Sequence, residues 1–420
     1  MTPSGSLQPT SAGVPRTPPD ISGAPEPRHA HSPTLADAAG RLARGELTVD
    51  EFWRTTGLRR PLVEPDPADP SARIVTFLRR DADAEHVYVG VNKVTHGPEQ
   101  GAMTRLAGTD IWYLSVVLDA RWRGTYGFVP LDADSWRDLV DTGARPAIRL
   151  LRESTVPDPG NPLVELSHLG DPLSVAELDL APTQPWLTAP GGAGRSVRRP
   201  PEPVQGPADR TLWVTTPPDY GAEHAPDAPV LLVLDGEVWL RRGHVLDSVA
   251  ALAATGRIRP PVVVHVDNGP PERRLTELSI DSGMADELAL EIVPWLRSRH
   301  PVSARPTDVL VVGQSLGGLT ALKTLIDHPH TVGAAIAQSS SLWQDGMIER
   351  LRASGPGQRR LWLEVGTREP VLMEPHRRLY DELASGPVEV VAYVEFEGGH
   401  DAACWRGGIG DALAVLLAHD

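Results

Sequence analysis

The second half of the chain is written as short, unbroken apolar runs separated by stretches of helical spacing. The runs are Thr211–Thr216 (TLWVTT), Pro229–Gly236 (PVLLVLDG), Pro261–Asn268 (PVVVHVDN), Asp308–Ser315 (DVLVVGQS), Gly333–Ser340 (GAAIAQSS), Arg360–Thr367 (RLWLEVGT) and Glu389–Phe396 (EVVAYVEF). Runs of this length, rich in β-branched residues and without alternation, suit strands covered on both faces of a mostly parallel sheet. Helical spacing fills the gaps at His244–Ala254, Met284–Arg299, Leu316–Asp327, Pro375–Ala384 and Ile409–His419. The alternation predicts an open α/β sheet with flanking helices.

The first half follows another rule. Arg73–Arg80, His86–Asn92, Asp110–Leu118 and Thr125–Pro130 alternate apolar with polar residues between Gly, Asp and Pro turns, which predicts a smaller β-sandwich. Residues 1–35 are rich in Pro, Ser, Gly and Thr and read as a disordered tail, so the sandwich domain is expected over 36–160. Proline-rich text at 161–205 reads as a linker or loop, and 206–420 as the α/β domain. A length of 420 residues fits two such units. No internal repeat is present.

With 55 acidic against 40 basic residues the formal charge is −15, which argues against a general affinity for nucleic acid or an anionic membrane. An anionic substrate would need a locally basic pocket. The single cysteine, Cys404, excludes an intramolecular disulfide, and no apolar run approaches the length of a membrane span. The amino terminus lacks the basic start and apolar stretch of a secretory signal, so a cytoplasmic protein is expected. No His/Cys/Asp cluster has ligand spacing, so neither a metal site nor a cofactor is expected. Whether the protein is a monomer or a homodimer is left open.

One apolar run ends in a serine where a helix begins. Gly313-Gln314-Ser315-Leu316-Gly317 matches G-x-S-x-G, the nucleophile elbow of α/β-hydrolases. A chain with 39 glycines produces that pattern by chance often enough that its placement, strand before and helix after, carries the weight. A serine hydroxyl needs a base and an orienting carboxylate. His400, between the last strand and the last helix, is placed to be that base. His328, His330 and His376 read as surface residues. For the acid, Glu369 follows the strand ending at Gly366, and Asp401 adjoins His400. Glu369 is favoured because neighbouring side chains in a loop commonly point apart. An oxyanion hole would combine the N–H of Leu316 with that of Gly236 or Glu237 in "LDGEVW", although Gly236 is also compatible with an ordinary turn.

Several motifs then coincide with one family. "LLVLDGEVWL", "RRLTEL", "VVGQSLGGLTAL", "GTREPVLM" and above all "GGHDAACWRGG" resemble the catalytic domain of enterochelin (enterobactin) esterases, hydrolases of ferric siderophores. "VTFLRR", "MTRLAGTDIWYLS" and "RGTYGFVP" look like the sandwich domain that precedes it, so the likeness covers about residues 45 to 420. It implies hydrolysis of ester bonds in a tri-serine or tri-threonine catecholate trilactone, with iron present only as part of the substrate. It further implies Ser315 as nucleophile, His400 as base, Arg274 and Glu277 in the substrate pocket, and Trp405 and Arg406 flanking the base. Leu316 departs from the family, where an aromatic often follows the serine.

The residues agree with such a substrate. A ferric tris-catecholate is anionic, and Arg274, Arg368 and Arg406 fall on loops at the carboxyl ends of strands, where open α/β sheets bind ligands. Guanidinium groups stack on catechol rings and pair with their oxygens. Each of these arginines is also compatible with a solvated loop charge. Trp239 and Trp405 are candidate pocket walls, with buried packing an equal reading for Trp239. The alternative function is an esterase of the same fold acting on other aryl or acyl esters.

Overall fold

The computed structural model describes residues 26–58, 60–141, 154–167, 170–187, 201–217, 220, 228–384 and 386–419. The amino-terminal unit packs two antiparallel sheets face to face. Its strands are β1 (Leu62–Asp66), β2 (Asp69–Arg80), β3 (His86–Val91), β4 (Thr104–Arg105), β5 (Ile111–Asp119), β6 (Arg123–Leu131), β7 (Val164–Leu166) and β8 (Pro172–Glu177). One sheet runs β1-β2-β5-β4 and the other β3-β6-β8-β7. Period-two alternation fills the space between them: Val75, Phe77, Leu114 and Val116 meet Val87, Val89, Tyr126 and Phe128. The outer face of β2 and β5 is buried as well. Leu78 and Ile111 there pack on Leu35, Phe52 and Trp53 of the helices Pro33–Ala43 and Val49–Thr55.

Two expectations are corrected here. Residues 26–35, assigned to the tail, lie on the sandwich: Ala30 N donates to Ser115 O, and buried Ser32 caps the first helix through Leu35 N. Residues 1–25 lie outside the described residues. The expected linker 161–205 supplies β7 and β8, because Val175 and Ala176 close the sandwich core that the first six strands leave open. Residues 188–200 of that stretch lie outside the described residues.

The carboxy-terminal unit is an eight-stranded sheet ordered β16-β15-β14-β13-β11-β12-β10-β9. Its strands are β9 (Pro203–Gln205), β10 (Thr211–Thr215), β11 (Val230–Val233), β12 (Val262–Val266), β13 (Val309–Gln314), β14 (Ala334–Gln338), β15 (Arg359–Gly366) and β16 (Val388–Phe396). From β11 onward all pairings are parallel, whereas β10 runs antiparallel to both β12 and β9. The central strands are buried on both faces, as their apolar runs require. β16 and most of β10 are only half-buried, because one is a sheet edge and the other is backed only by the short β9. Strand order reverses between β11 and β13, and that switch point is where open α/β sheets form a crevice.

Helices cover both faces. Those at His244–Ala254 and Leu316–Asp327 fall where the spacing puts them. The helix expected at Pro375–Ala384 starts at Pro370, whose missing N–H is harmless in a first turn, and runs on through Pro375. The last helix starts at Ala402 rather than Ile409. Gly407 and Gly408 look like helix breakers, yet a methyl on either would collide with Gln184 or Glu364. They are glycines for contact, not for a turn. Among the described residues no helix is long and apolar enough to cross a membrane.

Candidate active site

Ser315 sits between β13 and the helix Leu316–Asp327 at φ 60°, ψ −120°, a conformation costly for a non-glycine residue. Tertiary bonds hold it there: Ser315 N donates to Gln338 O at 3.0 Å, and Ser341 N donates to Ser315 O at 2.9 Å. The tight turn explains the glycines unevenly. A methyl on Gly313 would strike the Gly317 backbone, and one on Gly318 would lie 2.6 Å from Ser340 Oγ and 3.0 Å from Gln338 O. One on Gly317 would meet only ordinary contacts near 3.5 Å. The Ser315 hydroxyl is 3.3 Å from Ser341 Oγ.

Below the elbow lies a buried polar chain. Trp239 Nε1 donates to Gln314 Oε1 at 2.6 Å, Gln314 Nε2 to Gln338 Oε1 at 2.7 Å, and Gln338 Nε2 to Glu364 Oε1 at 2.6 Å. Trp362 Nε1 donates to the other Glu364 oxygen. Burial pushes the Glu364 carboxyl up to about 7, against the pull of those two donors.

His400 Nδ1 lies 2.5 Å from Glu369 Oε1. Glu369 Oε2 accepts from Ser339 Oγ at 2.6 Å and from Gly366 N at 2.8 Å. Burial alone would raise this carboxyl, but His400 and these two donors hold it below its usual range. Trp405 packs edge-on against the His400 ring at 4.7 Å and donates to Ser339 Oγ at 3.0 Å. Asp401 does not serve the imidazole. Its Oδ1 caps the last helix through Ala403 N, and its Oδ2 accepts from Thr125 of the sandwich. The residues that complete this arrangement and escaped the sequence reading are Ser339, Ser341, Gln338 and Thr125. The serine run after β14 signals Ser339 and Ser341, whereas nothing in the sequence signals Gln338 or Thr125.

The remaining donors cluster at the switch point. Leu316 and Gly236 each open a helix, so their N–H groups lack an intrahelical acceptor. Gly236 must be glycine, because a methyl there would enter the β12 backbone at Val266. The Glu237 N–H is drawn to its own carboxylate, which leaves Gly236 as the better donor of the two. Burial, reinforced by Asp235, pushes the Glu237 carboxyl up to about 7.

Known proteins fit this geometry. Residues 74–187 match the family described as enterochelin esterase, N-terminal, and residues 206–416 match the putative esterase family. The iron(III) enterobactin esterase of Escherichia coli K12 is 31% identical over 377 residues, covering 82% of this chain and 92% of that protein. This chain belongs to the enterobactin esterase family. The iron(III) salmochelin esterase of Escherichia coli O6:H1 is 28% identical and covers 92% of this chain and 98% of its own length. The crystal structure of the enterobactin esterase FES from Shigella flexneri, obtained in the presence of enterobactin, superposes with a TM-score of 0.72 at 28% identity, covering 88% of this chain and 99% of that one. Ferric enterobactin esterase from Salmonella typhimurium gives 0.74 at 26%, over 87% and 98%. The α/β-hydrolase unit preceded by a β-sandwich is therefore the enterobactin esterase architecture, and the chain is a carboxylic ester hydrolase.

Within this enterobactin esterase fold, several expected pocket residues have other occupations. Arg274 pairs through two nitrogens with Asp235, at 2.5 and 2.7 Å, and reaches Gln314 O, so it braces the switch point. Glu277 accepts from Arg210 and Arg273 in an ion-pair network that includes Glu287. Trp239 is 1% exposed and belongs to the core. Trp405 supports the His400 ring from within the fold. Arg406 is bound to Gln184 and to Glu165 of the sandwich. Arg368 differs: it makes no side-chain ion pair among the described residues, and its Nε is buried without a partner. Burial lowers its pKa from the ordinary arginine value.

The other histidines are corrected in part. His330 is exposed, and His328 bonds Asp286 near the surface. His376 is fully buried: its Nδ1 faces Leu372 O at 2.8 Å and Ser340 N donates to its Nε2 at 3.1 Å. Burial pushes it down to about 4, so it is a neutral core residue under the Ser340 turn.

Proposed function

We propose that this chain is a cytoplasmic serine esterase that cleaves the ester bonds of a catecholate trilactone siderophore, with or without bound iron. The observation that carries the reading is the strained Ser315 at the switch point of a sheet that also bears His400 paired to buried Glu369, in a chain of this family. Its relatives are named for enterobactin and salmochelin, and the Shigella enzyme was crystallised with enterobactin.

In this reading the Ser315 hydroxyl turns from Ser341 to His400. Nε2 of His400 takes its proton as Oγ attacks the ester carbonyl carbon, and Glu369 stabilises the imidazolium through Nδ1. The N–H groups of Leu316 and Gly236 receive the oxyanion. The carbon–oxygen bond to the ring alcohol then breaks, and His400 returns the proton to that alcohol. Water, deprotonated by the same histidine, attacks the acyl-serine and releases a carboxylic acid and free Ser315. Each round consumes one water, and repeated rounds convert the trilactone to linear trimer, dimer and monomer. Iron is cargo, and the chemistry runs on protein groups. Burial, and after it the charges of Lys93 and Arg368, hold the pKa of His96 down. Arg368 and Lys93 supply the cations at the seam between the two units for an anionic ligand, against the carboxylates of Glu397 and Asp119 near Arg368.

Chromatography after incubating wild type and Ser315→Ala with the ferric and iron-free trilactone tests the proposal. Linear and monomeric catechol-amino acids from wild type alone are expected. Intact trilactone from wild type, together with Ser315-dependent turnover of simple aryl esters, would replace the siderophore reading with the general-esterase one.

A further inference from the structure

The loop that carries His400 is held from outside the catalytic sheet. Two strand ends of the sandwich, the carboxyl end of β3 and the amino end of β6, press against residues 397–404. Asn92, just after β3, donates through Nδ2 to the His400 carbonyl at 3.0 Å. Thr125, on β6, gives Asp401 Oδ2 two hydrogen bonds, from its backbone N at 2.5 Å and from Oγ1 at 2.7 Å. The two residues are themselves joined, since Asn92 N donates to Thr125 O at 3.0 Å. On either side, Arg123 N donates to Glu397 O at 3.2 Å and Cys404 Sγ approaches Arg123 O at 3.2 Å. The seam is close enough that a methyl on Gly399 would lie 2.6 Å from Asn92 Oδ1 and would overlap Lys93.

This grip is built, not incidental. Thr125 is 6% exposed and Asp401 4%, so their bond lies in a dry seam where a lost partner leaves a buried carboxylate short of donors. Burial raises the Asp401 carboxyl despite three donors, so each donor matters to keeping that group in place. Asp401 is also the cap of the last helix, and its neighbour His400 reaches Glu369 at a distance that tolerates little drift. Elsewhere the two units are joined by a different contact, with Glu165 of β7 buried among Arg242, His244 and Arg406. That contact docks the sandwich on the helices that hold His244 and Arg406 and makes no hydrogen bond to residues 397–401, although the Glu165 charge reaches Asp401.

We infer that the sandwich is part of the catalytic apparatus for any ester, with Asn92 and Thr125 as positioning residues that set His400 through its carbonyl and through Asp401. This rests on the reading of His400 as the base. A sandwich that only lined the siderophore pocket would affect large substrates and leave small ones alone. A positioning sandwich affects both, because the proton-transfer geometry is common to them.

The test is steady-state kinetics on p-nitrophenyl acetate, a substrate too small to span the two units, with melting temperature measured in parallel. Thr125→Val is expected to lower kcat about 10- to 100-fold with KM within about 2-fold, the scale on which small misplacements act. Asn92→Ala is expected to act in the same direction, Thr125→Ser to restore kcat by restoring the hydroxyl, and Glu165→Gln to lower the melting temperature with kcat retained. Undiminished kcat in both Thr125→Val and Asn92→Ala would overturn the inference. So would an equal fall in Glu165→Gln, because docking in general would then suffice. His400→Ala is run beside them. If it kept its turnover, the base assignment itself would fail and the inference with it, whereas a dead His400→Ala beside unaffected seam variants would sink the inference alone.

Discussion

Oε1 of Glu369 lies 2.5 Å from Nδ1 of His400, while Oε2 of the same carboxylate is held by Ser339 and Gly366. An imidazole oriented this way presents Nε2 as the basic nitrogen and has its positive form stabilised. Glu369→Gln keeps the shape but removes the charge, and is expected to lower kcat about 10³-fold with KM nearly unchanged. Asp401→Asn touches the imidazole only through the loop, so its loss is expected to be smaller. Kinetics of both variants on one aryl ester decide it. A greater loss in Asp401→Asn would move the acid role to Asp401.

The elbow glycines make a prediction that runs against the G-x-S-x-G formula. Gly318 lies outside the formula, yet a methyl there would meet Ser340 Oγ and two carbonyl oxygens within 3.2 Å. Gly317 lies inside it and has room. Gly318→Ala is therefore expected to destabilise by about 1–3 kcal/mol as an overpacked site. Gly317→Ala is expected to be neutral or to stabilise by up to about 1 kcal/mol through helix propensity. Chemical denaturation of the two variants is the measurement, and the reverse order would show that the elbow's strain is carried elsewhere.

The elbow turn at Ser315, the placement of His400 before the last helix and the alternation of strand and helix were legible because each is local: an apolar run ending in a glycine-flanked serine, or a histidine just before a helix, spans only a few residues. What the sequence hid was long-range. Arg274 reads as a free loop cation until its partner Asp235 is brought beside it, and His376 reads as a helix start until Pro370 is seen to open that helix. Trp239 and Trp405 are apolar to the eye, but their indole nitrogens bond Gln314 and Ser339 beneath the site. Asn92 and Thr125 carry no motif. Their part depends on a contact across about 300 residues of chain, which periodicity does not encode.

Arg274 now has a test that separates its two readings. Asp235 is 4% exposed and adopts φ 51° at the turn leading to Gly236. Arg274 supplies its charge partner. Removing one member of a buried pair leaves an uncompensated charge, so Arg274→Ala is expected to destabilise by about 3–5 kcal/mol and to lower kcat by disturbing Gly236. A substrate contact would instead raise KM for the siderophore and leave the melting temperature alone. Thermal melts beside siderophore and aryl-ester kinetics distinguish these outcomes.

Glu364 sets a pH dependence of stability. Its carboxyl is completely buried and is pushed from 4.5 up to about 7 in the folded chain, so the folded state holds this proton more tightly than the unfolded one. A group shifted upward contributes its full stabilisation below its unfolded pKa and loses it as pH rises through the folded value. The contribution therefore declines between about pH 4.5 and 7, by an amount on the order of 3 kcal/mol at most for a shift of this size. Glu364→Gln cannot titrate, so its stability relative to wild type is expected to improve steadily across that window and to level off above it. Denaturation of both proteins at a series of pH values reads the difference directly. A flat difference would mean that Glu364 stays ionised throughout, held by the donors from Trp362 and Gln338.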